Sequence, residues 1–238
     1  MKLTTLIVHH PLKTLLSRLG VAAVLLTLCG IVSAQELKPI KLNAPDKKRG
    51  LPVMEALSVK ASAKALSDRE VSVQDLSDLL WAANGVNRPE EKKFTASSAM
   101  NAHDVDLYVF LKDGVYVYDA FEHVLNPVVK GDYRTQVVMT PPKPANSTEP
   151  ARPAPFTGPV EIILISDGSR FKRGTPEQKT EWGALDTGIV SQNISLFCAA
   201  TGLKTHPRAS MDKTKITSLL KLKETQHIFL EHPIGYEK

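Results

Sequence analysis

The chain has 238 residues, 42% hydrophobic and 23% charged, with 30 Lys and Arg against 25 Asp and Glu for a formal net charge of +5. This length suffices for one domain with a substantial core, and two cysteines are too few for a disulfide-stapled scaffold. Residues 1–34 hold Lys2, Lys13 and Arg18 and no acid, so the remaining 204 residues carry 27 basic and 25 acidic groups, a net charge of only +2. A nucleic-acid surface would need a clustered basic stripe, so that class of partner is excluded.

The three basic residues precede an apolar run over 19–32 that ends in Val32-Ser33-Ala34. A basic start, an apolar centre and a small-x-small end read as a secretory signal peptide. The run is shorter than the roughly 20 residues that span a bilayer. We expect cleavage before Gln35, export to the periplasm or cell envelope, and no stable membrane span afterwards. A lipid attachment at Cys29 is disfavoured because Leu28 is bulky where a small residue is usual. Residues 35–50 are polar and Lys-rich without apolar period, and read as a flexible leader to a domain over 51–238.

Within that domain the pattern predicts a first helix over 51–66 and a second over 73–83. Leu76, Leu79, Leu80, Trp81 and Ala83 of the second fall at helical spacing, Ser72 and Asp75 resemble a capping box, and Asn84-Gly85 is a stop. Strands are expected over 106–111 and 115–119, joined by a hairpin at Asp113-Gly114. Residues 140–159 contain Pro141, Pro142, Pro144, Pro150, Pro153, Pro155 and Pro159, a density no regular element tolerates. An extended loop follows, as a semi-rigid spacer, a lid or a partner arm. A buried strand over 160–166 comes next, then a long apolar helix over 185–201 with Gly202 at its C′ position, a helix over 211–222 and a last strand over 227–231. Helices and strands mix without a strict βαβ rhythm, so the fold class is α+β.

The common catalytic signatures are missing. No G-x-S-x-G elbow occurs, and Ser166-Asp-Gly-Ser169 reads as a strand-ending turn. His103, His123, His206, His227 and His232 are scattered without metal-ligand spacing, so no metal is expected. No Gly-rich phosphate loop follows a strand. Cys198, within the apolar helix, reads as a buried and inert thiol.

Three segments in order change the picture: Lys60-Ala-Ser62-Ala-Lys64, then Ser97-Ser98-Ala99-Met100-Asn101, then Gly202-Leu-Lys-Thr-His-Pro-Arg208-Ala209-Ser210, with His232-Pro-Ile-Gly-Tyr-Glu-Lys238 closing the chain. Together they resemble the flavin-dependent nitroreductase superfamily, in particular its short branch related to azoline-oxidising dehydrogenases. The resemblance runs from about residue 51 to the end, apart from the Pro-rich insertion. It implies a nitroreductase-like fold, a central and mostly antiparallel sheet flanked by helices, a homodimer with the site at the subunit interface, and FMN as cofactor. It further implies that Lys60, Ser62 and Lys64 grip the FMN phosphate and ribityl chain, where relatives use an Arg-x-Ser-x-Arg-like motif. Lysine keeps the charge but not the bidentate fork. Ser98 and Asn101 would meet the pyrimidine side of the ring or the ribityl, with Ser97 in place of a common proline and His103 in place of a frequent glutamine. Backbone groups of Arg208, Ala209 and Ser210 would pass the flavin N5, and Lys238 would reach the phosphate. Gln192 and Asn193 would lie near the cofactor or against the partner subunit. By residues alone, two lysines on a helix read as a solvated face.

The activity so implied is hydride transfer through flavin N5 to or from a small organic substrate, with no obligatory catalytic side chain. The alternative is a non-catalytic member that keeps the fold and binds flavin weakly or not at all, as a binding or scaffold module. The substitutions at Lys60, Lys64, Ser97, His103 and Ala209 lean toward it.

Overall fold

The computed structural model describes residues 36–139 and 156–238; the signal-peptide reading and most of the Pro-rich segment lie outside them. The elements in chain order are β1 (Ile40–Lys41), α1 (Val53–Val59), α2 (Val73–Asn84), β2 (Val86–Arg88), β3 (Lys93–Phe94), β4 (Val105–Phe110), β5 (Gly114–Asp119), β6 (Val124–Lys130), β7 (Val160–Asp167), α3 (Pro176–Thr201), β8 (Lys204–Thr205), α4 (Lys213–Leu220) and β9 (Gln226–Gly235). Seven strands form one sheet in the order β1-β6-β5-β4-β7-β9-β8, all neighbours antiparallel, and β2 and β3 form a separate ribbon. The α+β class and the antiparallel sheet flanked by helices are as expected.

The central strand β7 explains the layering. All eight of its residues are buried, so its apolar run does not alternate with polar residues. Successive side chains nevertheless point to opposite faces. Ile162 and Leu164 join the core with Leu79, Leu80 and Ala83 of α2 and Val190, Ile194 and Cys198 of α3. Ile163 and Ile165 join a second core with Ile216 and Leu220 of α4, Val137 and Met211.

α3 is longer than its apolar pattern suggested. Thr175 accepts from the Gln178 N–H while the Gln178 side chain accepts from the Thr175 N–H, and Pro176 stands at the first helical position. That capping box with an N1 proline begins the helix nine residues before the apolar run. At its other end Gly202 adopts φ 81°, the left-handed stop expected of it. α2 is as expected, with the Ser72 side chain accepting from the Asp75 N–H.

Two expectations are corrected. The first helix is not 51–66: it stops at Val59, and Lys60 turns extended at φ −60°, ψ 122°. Both backbone groups of Ala63 are engaged from outside, its N–H by the Thr205 carbonyl at 2.8 Å and its carbonyl by His206 Nδ1 at 2.9 Å. These tertiary bonds hold the segment extended where local propensity favoured helix. Residues 37–50, expected as a flexible leader, are packed onto the domain. Ile40 and Lys41 pair with β6, Leu42 is buried, and Arg49 bridges Asp75 at 2.7 Å and Asp78 at 2.8 Å on α2.

Candidate functional site

The extended segment after α1 arranges the expected phosphate-gripping residues in a way a helix could not. On a helix, positions i, i+2 and i+4 do not share one face. In an extended chain they do. Ala63 is buried and turned inward, while Lys60, Ser62 and Lys64 are exposed. Lys60 and Ser62 open into a cleft of about 60 Å³ that is also walled by Ser195, Cys198, Gly202, Lys204, Thr205 and Pro207. Two lysines, three hydroxyl-bearing residues (Ser62, Ser195 and Thr205) and a glycine without Cβ thus line a space the size of a phosphate group. Lys64 lies just outside this wall. Lys204 holds Glu237 at 3.3 Å, which brings the chain's end toward the same cleft and leaves Lys238 exposed beside it. The tail is anchored before that point: Tyr236 donates to Asp75 at 2.5 Å, its carbonyl accepts from the Ser67 N–H, and its ring lies 4.0 Å from the Arg69 guanidinium.

A second cluster lies in the turn before β4. Ser98 Oγ accepts the His103 N–H at 2.9 Å, and the Ala99 N–H is held at 2.7 Å by Asp186 of α3. Met100, Asn101 and His103 all adopt positive φ, at 55°, 55° and 49°. Residues with a Cβ pay steric energy there, so the turn persists only because its surroundings hold it. Lys93 donates to Asn101 Oδ1 at 3.0 Å, which orients the amide so that its Nδ2 donates to His103 Nε2 at 2.8 Å. The imidazole proton therefore sits on Nδ1, a buried nitrogen with no partner among the described residues. Burial first, then the charges of Lys93 and Arg170, hold His103 below the usual histidine range, so it is neutral near pH 7. His103 also packs at a tilt against Phe94, with centroids 4.1 Å apart, and borders a cavity of about 330 Å³ with Phe94, Asp106, Tyr118, Phe121 and Arg170.

Arg208 takes a place that its sequence neighbours did not foretell. Its guanidinium is buried, donating to Glu231 from Nε and Nη2 at 3.1 Å each and to the Phe156 carbonyl at 2.8 Å, with Glu161 at 3.8 Å. Its N–H donates to the Glu231 carbonyl at 3.0 Å, so this donor is already committed. Glu161 and Glu231 are both fully buried on β7 and β9. Burial, and then the neighbouring Glu231, push the Glu161 carboxyl well above its ordinary range, so a proton is held there beside Arg208. Ala209 is exposed and Ser210 half-buried, next to this cluster. His232 is likewise sealed, with Nε2 facing Ser191 at 2.8 Å and Nδ1 facing Thr205 at 3.0 Å. Burial, and then His206, push it down to about 3, and this neutral ring braces α3 against β8.

The two clusters touch different parts of α3. Asp186 holds the Ser98–Asn101 turn, whereas Ser195 and Cys198 line the phosphate-sized cleft; nine residues of helix from Asp186 to Ser195 span about 14 Å and half a revolution. Between them runs an exposed stripe of α3: Ala184, Leu185 at 62% exposure, Gly188, Ile189 at 38% and Gln192. Asn193 is turned from this stripe and donates to the Ala83 carbonyl of α2.

The model of the nitroreductase family matches residues 58–236. A solved protein of Ralstonia eutropha JMP134, assigned as a nitroreductase, is 27% identical, with a TM-score of 0.73 over 85% of this chain and 90% of its own. The Escherichia coli microcin synthetase McbBCD complex with truncated pro-MccB17 contains a chain that aligns over 98% of this one and 85% of its own, at 14% identity and a TM-score of 0.60. A protein of Staphylococcus epidermidis assigned as an NAD(P)H:FMN oxidoreductase aligns over 82% of this chain and 91% of its own, at 13% identity and a TM-score of 0.56. No match was found among curated proteins. With 58–236 covering most of the chain and both residue clusters, this protein belongs to the nitroreductase family.

Proposed function

We propose that the protein is an FMN-dependent oxidoreductase acting on a small organic substrate. The observation that carries this reading is the cleft where Lys60, Ser62 and Lys204 converge on a phosphate-sized space inside the family-matching region. FMN, when bound, supplies hydride transfer at N5. The protein's own part is to bind and orient. Lys60 and Lys64 hold the phosphate by charge, Ser62 donates a hydroxyl, and the exposed Lys238 adds a further charge. Ser98 and Asn101 present their turn to the pyrimidine side or ribityl. Near N5 the role falls to Ala209 and Ser210, because the Arg208 N–H and guanidinium are committed to Glu231. Neutral His103 offers a polar edge on the substrate side without adding charge.

In this reading the site is composite. One chain places its two clusters about 14 Å apart along α3 and half a revolution around it. A second copy docked on the exposed stripe of Leu185, Gly188 and Ile189 brings the cleft of one subunit toward the turn of the other. We also propose that residues 1–34 are removed on export to the periplasm or cell envelope. The non-catalytic alternative draws support from Arg208, whose groups serve the fold. FMN titration of the mature protein separates the two: saturable binding supports the enzyme, and absence of binding the alternative.

A further inference from the structure

Asp104, immediately before β4, is fully buried. Its Oδ2 accepts from the Ser166 hydroxyl at 2.5 Å, whereas its Oδ1 is sealed from water with no donor among the described residues. The Asp186 carboxyl faces it within hydrogen-bonding reach. Two carboxylates cannot sit together in such a place without a proton between them. A proton on one carboxyl, donated to the other, supplies the missing bond. The backbone makes room for this contact: a Cβ on Gly183, one turn before Asp186, would lie 2.3 Å from Ser166 Oγ.

The other oxygen of Asp186, Oδ2, holds the Ala99 N–H at 2.7 Å. Ala99 begins the turn whose Met100, Asn101 and His103 sit at positive φ. The charged groups of the surrounding elements have other partners. Arg170 bonds Asp106 and the His103 carbonyl, Lys93 bonds Asn101, and the Asp167 carboxyl takes Ser169 and Thr225. Neutral His103 brings no compensating charge.

We propose that Asp104 and Asp186 are a proton-sharing pair that positions the Ser98–Asn101 turn, docking it while the shared proton is present and releasing it when that proton leaves to solvent. This deepens the FMN reading by making cofactor binding responsive to pH, and it rests on that reading only for its consequence. Burial outweighs the Ser166 hydrogen bond, and with the Asp186 charge raises the Asp104 carboxyl to about 7 from its ordinary 3.8. The folded protein keeps a proton that the unfolded chain sheds near pH 4, so this group's stabilisation is full below that point, declines as the pH climbs through about 7, and is gone above it. Asp186 and Asp104 are positioning residues and touch no cofactor.

The test has two readouts, FMN affinity and amide-exchange protection of residues 98–103 in the flavin-free protein, each from about pH 5.5 to about 8.5. Wild type is expected to lose about tenfold in affinity across the range, with a parallel loss of protection. Asp104→Asn, whose amide donates permanently where the shared proton sat, should keep the low-pH behaviour throughout. Asp186→Asn should do the same with the amide on the other member, and it serves if Asp104→Asn fails to fold. Asp186→Ala, lacking any acceptor for Ala99, should be weak and unprotected at every pH. A flat wild-type protection profile, or an asparagine variant that follows the wild-type curve, overturns the proposal. If no FMN binds at any pH while protection still follows the pair, the cofactor reading fails and the positioning role stands.

Discussion

Replacing Arg208 by Ala strips the ion-paired guanidinium from a fully buried carboxyl pair. The arginine is 9% exposed in its side chain, Glu161 and Glu231 are each 0% exposed, and its three donors reach Glu231 and the Phe156 carbonyl within 3.1 Å. Removing one partner of a buried ion pair costs about 3–5 kcal/mol, because the remaining charge is stranded away from water. For a domain of this size each kcal/mol moves Tm by about 2–4 °C, so the variant should melt roughly 6–20 °C lower. The sign of its pH dependence follows from Glu161, whose carboxyl is already raised by burial and by Glu231. Stability from a carboxyl raised in the folded state is present at low pH and declines as the pH rises through the folded value. Loss of the guanidinium raises the pair further, so the deficit should grow between about pH 5 and about pH 8. The triple variant Arg208→Met, Glu161→Gln, Glu231→Gln removes the charges together and should recover much of the loss. Calorimetry at two pH values reads all of this. A single variant melting within about 1 °C of wild type, with no pH dependence, would refute the buried-cluster account.

Replacing Lys60 and Lys64 together by Ala should weaken FMN binding by roughly tenfold to a hundredfold per lysine, and replacing both by Arg should hold or improve it, with the flavin-free Tm unchanged because both are exposed. Equal affinities in fluorescence titration would reduce them to a solvated face. Gly188 has no atom within 4 Å of an added Cβ, so Gly188→Ala should stabilise the fold by about 0.8–1 kcal/mol, and Gly188→Glu should leave the fold intact but shift light scattering from dimer to monomer mass. A wild-type monomer at micromolar concentration would remove the composite site. Mass spectrometry of the native protein should find residues 1–34 missing, and an intact N-terminus would contradict export.

What the sequence revealed follows the range of the forces involved. The periodic faces of α2 and the apolar run of β7 are local signals, and both stand where they were expected. β6 was missed because Pro127 interrupts Val124-Leu-Asn-Pro-Val-Val-Lys130. It is tolerated since β1 pairs with Val124 and Leu125, leaving that side of Pro127 without a strand neighbour among the described residues. The start of α3 was legible in Thr175-Pro176-Glu-Gln178, a capping box that the apolar count passed over. The extended run at Lys60–Lys64 was not legible, because it is imposed by Thr205 and His206 from 142 and 143 residues away, near the other end of the chain. The site residues divide in the same way. Short motifs marked Lys60, Ser62, Ser98 and Asn101, but nothing local told that Arg208 would turn inward to Glu161 and Glu231. Nor did spacing show that Asp104 and Asp186 would meet.

FMN binding by this chain, proposed above, is tested most directly by FMN fluorescence quenching on the mature wild-type protein, followed by the visible spectrum after gel filtration. Saturable quenching near one FMN per chain, with flavin absorbance that travels with the protein, is expected. Quenching that never saturates, with colourless protein at low and high pH alike, would contradict it.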